Sequence, residues 1–326
     1  MHVGSGIRVK RTVGIWDLTR SGGSLGTLLI LLEELEIRRQ LSRSDAVDVV
    51  IVGDAIQLIN DAPSERTYAP DGFLLPGVAR LAPLIAVVRA MSGVTGCHVC
   101  SDARAVHHVR SLIGSNCVVW PDLELLMGGK HDYDSTRNIQ DHFTRAGTIP
   151  HLSVGAALLA WAKNYLNEKA QEKLPVAVHL KNNPNVSGQS NANIDSWLVF
   201  MAACQCEFKV HFVLVGDDPA DVRFRSLRNA TIARDDGVTL DRHLAIIQAA
   251  GLFVGMMSGP ANMALFGTNP YLIFKNPDHH ALEMAKELGE GDRYPFALSH
   301  QRVLRMWDTT ENLSSVFEGV FKQVFA

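Results

Sequence analysis

Residues 251–276 read GLFVGMMSGPANMALFGTNPYLIFKN. One apolar run, GLFVGMM, stops at the small polar corner SGP; ANMALFG follows at helical spacing, and NPYLIFKN is a second apolar run. Short runs that are apolar throughout, without alternation, suit strands covered on both faces, and parallel strands of that kind need a crossover helix between them. The stretch therefore predicts strand, corner, helix, strand, with Pro260 in the first helical turn, where its missing N–H costs nothing. Free backbone N–H groups at such a corner, the helix dipole and the Ser258 hydroxyl favour an anion, and Gly259 lets the backbone come close to it. The same residues equally suit a plain capped helix start.

Working outward, the alternation repeats. TVGIWDL reads as a strand, TRSGGSLGT as a loop and LLILLEELEIRRQL as a helix. AVDVVIVGD, GCHVCSD and NCVVWPD read as further strands, separated by the helical patterns VARLAPLIAVVRAMSG and ARAVHHVRSLIG. This first run closes near Asp134, and residues 135–173 read as a crossing that ends in a charged helix. Alternation then restarts: strand PVAVHLK, loop NNPNVSGQSNAN, helix IDSWLVFMAACQC, strand KVHFVLVGD, strand NATIARD and helix TLDRHLAIIQAA lead into the opening stretch. Helices at HHALEMAKELG and ENLSSVFEGVFKQVF close the chain. Strand and helix in this order predict α/β architecture with doubly wound parallel sheets. At 326 residues the chain exceeds what one core usually fills, so two Rossmann-like domains facing a cleft are expected, residues 1–150 and 151–326.

Composition narrows the class. Lys plus Arg number 31 against 34 Asp plus Glu, a formal net charge of -3 with no long basic run, which argues against nucleic acid as a partner. MHVGSGIRVKR lacks the apolar core of a secretory signal, and no apolar run is long enough for a transmembrane helix. Five cysteines, an odd number, fit a reducing compartment and not a disulfide framework, so a soluble cytoplasmic protein is expected. Cys97 and Cys100 in C-x-x-C spacing lie within a strand-like run, and these thiols, like Cys204 and Cys206, read as buried small hydrophobes. Nothing in the sequence sets the oligomeric state.

Polar loops that follow strands collect the candidate residues, because open α/β sheets bind ligands at the carboxyl ends of their strands. His179 and Lys181 end one strand, and the amide-rich loop beginning Asn182-Asn183 and reaching Gln189 offers donors for phosphate and sugar hydroxyls; the same composition also makes an ordinary turn-rich loop. Asn262 lies in the first turn of the SGPAN helix. Asp217 and Asp218 follow another strand, where ribose contact and helix capping fit equally. Gly22 and Gly23 belong to a loop that is neither G-x-G-x-x-G nor a Walker motif, so a nicotinamide cofactor is not indicated. Asp17 closes the first strand and reads either as a general base or as a loop-capping carboxylate. Neither His107-His108 nor His279-His280 has metal-ligand spacing beside a carboxylate. Asp132 and Asp134 form a D-x-D pair, but the weakly defined strand beside it favours no metal.

DRHLAIIQAAGLFVGMMSGPANMALFGTNPYLIF, with its S-G-P corner, resembles the donor-side segment of GT-B glycosyltransferases of the heptosyltransferase-like and fucosyltransferase-like branches. HLKNN is similar, more loosely, to the strand-end loop that sets a basic residue against the donor diphosphate. The resemblance implies transfer of a sugar from a nucleotide-diphosphate sugar to an acceptor hydroxyl, on a glycan or a lipid-linked sugar, with no cofactor and no metal. It implies Lys181, Ser258 and Gly259 on the diphosphate, Asn182, Asn183, Gln189 and Asn262 on sugar or phosphate oxygens, and Asp17 as the nearest match to the base. SGPAN lacks the acidic residue that often stands beside this corner in the heptosyltransferase-like branch. An epimerase or hydrolase acting on nucleotide sugars and a non-catalytic nucleotide-sugar-binding protein share the architecture and stand as alternatives.

Overall fold

The computed structural model describes residues 9–18, 20–21, 23–53, 77–100, 116–128, 131–183, 188–218, 220–289 and 291–325. The helix expected around His107 and His108, and the candidate Gly22, lie outside these residues. The chain divides into two compact units, which among the described residues meet in sequence between Ile139 and Gln140. That boundary falls ahead of residue 150, where the sequence placed it.

In unit 1, β1 (Arg11–Asp17), β2 (Ala46–Val52), β3 (Val94–Cys100) and β4 (Cys117–Trp120) form a parallel sheet in the order β3-β2-β1-β4. The central β2 is buried along its whole length, as an apolar run covered on both faces should be, whereas the edge strand β3 is largely open. Helix α1 (Leu25–Ser42) starts where the Ser24 hydroxyl accepts the Thr27 N–H at 3.1 Å, and ends at Arg43 in the left-handed region. Helices α2 (Gly77–Ala90) and α3 (Leu123–Met127) follow, and α4 (Arg137–Ala146) carries the boundary between the units.

Unit 2 opens with α5 (Ala156–Ala170) and builds a six-stranded parallel sheet in the order β10-β9-β8-β5-β6-β7. Its strands are β5 (Leu174–His179), β6 (Val210–Leu214), β7 (Ala230–Ile232), β8 (Leu252–Met256), β9 (Tyr271–Lys275) and β10 (Gln301–Arg305). The chain lays β6 and β7 on one side of β5, then crosses to place β8, β9 and β10 on the other. The winding direction reverses between β5 and β8, the kind of point at which open α/β sheets bind ligands. Helices α6 (Ile194–Glu207), α7 (Leu240–Ala249), α8 (Gly259–Leu265), α9 (Ala281–Leu288) and α10 (Thr310–Phe325) complete the unit.

A core of Trp197, Phe200, Phe212, Phe274 and Phe317 holds α6 and α10 to the sheet by edge-on and tilted ring contacts. Strand β10 was not expected from the sequence, because QRVLR has only two aliphatic residues, flanked by arginines, and shows neither an apolar run nor alternation; pairing with β9 buries its Gln301, Val303 and Leu304. NATIARD holds only the three residues of β7 before a 3-10 turn takes over. All five cysteines are free, but they are not all buried: Cys206 is exposed on the outer side of α6 and Cys97 is half-buried on the edge strand. Among the described residues no helix is long and apolar enough to cross a membrane.

Candidate functional site

The reversal point of unit 2 is closed by one hydrogen bond. His179 ends β5 opposite Gly255 of β8, and Ser258 leaves β8 two residues after its end. Ser258 Oγ lies 2.8 Å from His179 Nδ1 and donates to the Met256 carbonyl at 3.0 Å. With its single proton on that carbonyl, the serine accepts from the Nδ1–H of a neutral imidazole. Burial, above all, lowers the His179 pKa to about 4, and the positive charge of Lys181 adds to the effect. The Ser258 hydroxyl, a candidate phosphate donor in the sequence, is here engaged with the protein and makes no side-chain cap on α8. The corner is real, but its serine is a brace.

Two glycines let the histidine sit there. A Cβ at Gly255 would stand 2.4 Å from the His179 carbonyl oxygen, and one at Gly216 would stand 2.3 Å from the ring carbon Cδ2. Gly216 also has φ +105, a conformation that side chains resist. Its N–H donates to His243 Nδ1 at 3.2 Å, and His243, on α7, is fully buried with its Nε2 unpartnered among the described residues. Burial first, and the neighbouring His179 second, hold the His243 pKa at about 4. Neither Gly216 nor His243 was singled out in the sequence; the only trace was a glycine ending the run HFVLVG.

On the β6 and β7 side, a small pocket is lined by Leu180, Asn182, Gly216, Asp218, Ile232 and Arg234, among others. Asp218 accepts the Asn182 backbone N–H at 3.0 Å, and Arg234 donates to the Asp217 carbonyl at 2.9 Å. Asp218 thus faces the pocket, whereas Asp217, the sequence candidate, is absent from its lining and lies 3.8 Å from His243 Nδ1. Asn183 and Asn191 pair reciprocally, backbone N–H to Oδ1 at 3.0 Å and Nδ2 to carbonyl at 2.8 Å, which folds the amide-rich loop back on itself.

On the β8 and β9 side the site is cationic. The half-buried Lys181 makes no side-chain hydrogen bond or ion pair among the described residues. Lys275, the last residue of β9, is buried, with its Nζ 2.7 Å from His279 Nδ1. Burial and then the charge of Lys181 pull the Lys275 pKa down to about 8, so the two amines feel one another. Asn276 donates from Nδ2 to the Gln189 carbonyl at 2.9 Å, tying the loop after β9 to the loop after β5. The Gln189 side chain itself is exposed, Pro260 and Asn262 are buried in the short helix α8, and Gly259 is half-buried at its start. The sequence reading passed over Lys275, although a lysine closing the otherwise apolar run YLIFK was a visible signal.

In unit 1, Asp17 closes β1 and is buried. Its backbone N–H donates to the Tyr133 hydroxyl at 3.3 Å, that hydroxyl donates to the Ile15 carbonyl at 2.8 Å, and the Asp17 carboxylate pairs with Arg20 at 3.4 Å. Nearby, Glu34 accepts from Trp120 Nε1 and from Asn138 Nδ2, both at 2.7 Å, and lies 3.4 Å from His131. Burial raises the Glu34 pKa to about 7 and lowers that of His131 to about 4. Gly23, with φ +60, sits in the turn that leads into α1. Asp132 Oδ1 caps a local turn by accepting the Asp134 N–H at 3.0 Å, and among the described residues no three His, Cys, Asp or Glu side chains converge as a metal site.

Two doubly wound parallel sheets in one chain, the second with its strand reversal intact, define the GT-B fold. Solved structures with the same fold include the ADP-heptose lipopolysaccharide heptosyltransferase II of E. coli, with TM-score 0.57 and 11% identity over 97% of this chain and 100% of that one. A glycosyl transferase family 9 protein from Veillonella parvula matches with TM-score 0.53 and 12% identity over 95% of this chain and 89% of that one. No protein-family model and no curated protein sequence matches the chain.

Proposed function

We propose that the chain is a glycosyltransferase that moves a sugar from a nucleotide-diphosphate sugar to an acceptor hydroxyl. The observation that carries this reading is the convergence, at the sheet reversal of unit 2, of Lys181, unpartnered among the described residues, the Asn182–Asn183 loop end and the braced SGP corner. Unit 2 is accordingly the donor domain and unit 1 the acceptor-side domain. The nucleoside is proposed beside Asp218 and Arg234 at the carboxyl end of β6, which leaves the diphosphate above β5 and β8. That the solved structures of this fold named above are glycosyltransferases supports the reading.

In the reaction, the bond between the anomeric carbon and the diphosphate oxygen breaks, a bond from the acceptor oxygen forms, and the acceptor proton passes to Asp17, the proposed base. Charge grows on the departing diphosphate, so fixed cations and N–H donors aimed at it lower the barrier more than they strengthen ground-state binding. Lys181, the Gly259 backbone, Asn182 and Asn183 take that role, with Gln189 and Asn262 near sugar or phosphate oxygens and no metal ion involved. Five free cysteines fit a cytoplasmic setting for the reaction.

A thermal-shift screen of nucleoside mono- and diphosphates and their sugars tests the site, because a ligand at 100 times its Kd stabilises the fold by about 2.7 kcal/mol. A nucleoside diphosphate is expected to raise Tm, and its sugar to be consumed only when an acceptor is present. Consumption without acceptor would identify a hydrolase or epimerase, and binding with no turnover over any acceptor pool would identify a binding protein.

A further inference from the structure

Lys275 presents a physical problem that the proposed function does not solve. It is only 9% exposed, and burying an ammonium without a counter-charge is costly. Among the described residues no carboxylate stands within ion-pair distance of it. Its one hydrogen-bond partner is the neutral ring of His279, itself kept uncharged by burial and by Lys275, and held near a pKa of about 4. The other charged groups in electrostatic reach make matters worse or help little. Lys181 repels it, and Glu283 is exposed and lies 4.0 Å from His280. A fold under no other constraint would place an apolar residue at the end of β9, as it does at Phe274 one position earlier.

The placement of the two lysines explains what the cost supports. Lys181 follows β5 and Lys275 ends β9, with β8 and its Ser258 corner between them. Neighbouring strands lie roughly 4.8 Å apart, so the two stems are anchored about 10 Å from one another across β8, a gap that two lysine side chains can close upon one anion. The Asn276–Gln189 hydrogen bond fixes the two loops to each other at this point. His279 takes one of the three Nζ–H donors of Lys275, and the remaining two have no acceptor among the described residues.

Resting on the donor-site reading above, we propose that Lys275, oriented by His279, is a second cationic arm of that site, which with Lys181 grips a diphosphate from both sides of the β8 corner. One lysine serves each phosphoryl group, so the pair selects diphosphates over monophosphates. His279 is a positioning residue that fixes the ammonium without neutralising it.

The test uses inorganic pyrophosphate and inorganic phosphate as probes, titrated calorimetrically into the full chain and into Lys275→Met and Lys181→Met. Loss of one charge-assisted contact predicts pyrophosphate binding on the order of tenfold to a hundredfold weaker in each variant. The preference for pyrophosphate over phosphate should shrink by a similar factor in Lys275→Met. The ligand-free Lys275→Met protein should melt at the same or a higher temperature than the parent, since it loses a buried charge; a residue kept for structure would lower it. Pyrophosphate affinity within twofold of the parent would overturn the proposal. Should Lys275→Met fail to fold, amine acylation of the parent protein read by mass spectrometry decides: pyrophosphate is expected to slow labelling of both lysines, and an unchanged rate at Lys275 beside a protected Lys181 refutes the second arm. Sugar transfer that proceeds normally in Lys275→Met removes this inference and leaves the glycosyltransferase reading standing. Pyrophosphate binding that depends on Lys275, in a protein that transfers no sugar, does the reverse.

Discussion

The two units are built on the same doubly wound plan and finish their reversal points differently. In unit 1 the end of β1 is locked by the protein itself: Tyr133 bridges Ile15 and Asp17, and Arg20 covers the carboxylate. In unit 2 the brace between His179 and Ser258 stands beside two lysines that make no ion pair among the described residues. Polar groups that satisfy one another stabilise a fold, whereas cations held without partners are an expense that only a ligand offsets. The contrast is what the proposed function uses: the anion site is proposed in unit 2, and Asp17 of unit 1 is proposed as the base.

The largest expected effect breaks the comparison from the unit 1 side. Asp17→Asn should bind a nucleoside diphosphate as the parent does, yet transfer sugar on the order of 10²- to 10⁴-fold more slowly, the usual worth of a general base. Single-turnover transfer and calorimetric binding measured on the same preparation separate the two. Full activity would return Asp17 to a purely structural role as the end of β1.

A pH comparison sharpens the contrast next. His179 and His243 hold protons less tightly folded, at about 4, than at the ordinary 6.5 of the unfolded chain. Their stabilisation is therefore complete above about 6.5 and is lost as pH falls toward 4. In unit 1 the same loss at His131 is opposed by Glu34, whose folded pKa of about 7 lies above its unfolded 4.5, so that protonation stabilises the fold as pH drops through that window. Hydrogen exchange at pH 7 and pH 5.5, corrected for intrinsic rates, should show the core strands of unit 2 losing protection while β1 and β2 change little. Equal losses in both units would mean that the buried histidines are not the cause.

A smaller effect tests the brace. Gly216→Ala places a methyl group against the His179 ring at a φ of +105 and should cost about 2–4 kcal/mol, read as a lower Tm and faster exchange along β5 and β6. A variant as stable as the parent would show that the ring has room to move.

Much of the fold was legible because covered parallel strands are written as unbroken apolar runs: AVDVVIV, PVAVH, VHFVL, LFVGM and YLIFK are all strands. Strand β10 was not, since its buried face is revealed only by its partner β9. At the site, His179, Lys181 and Ser258 stood out as residues of a strand-end cluster. The bond between His179 and Ser258, which lie 79 positions apart, depends on sheet order, and sheet order is not written in local composition. Lys275 was hidden for the opposite reason: it occupies a place where an apolar residue would belong, and a single lysine at a strand end passes for surface until its burial is known.

Hydrogen exchange with and without a saturating nucleoside diphosphate tests the division of labour most directly. Protection should rise at residues 179–183, 256–262 and 275–279 of unit 2, on both sides of β8, with the strands of unit 1 unchanged. Unchanged exchange at all three segments, or protection confined to unit 1, would contradict the assignment of the anion site.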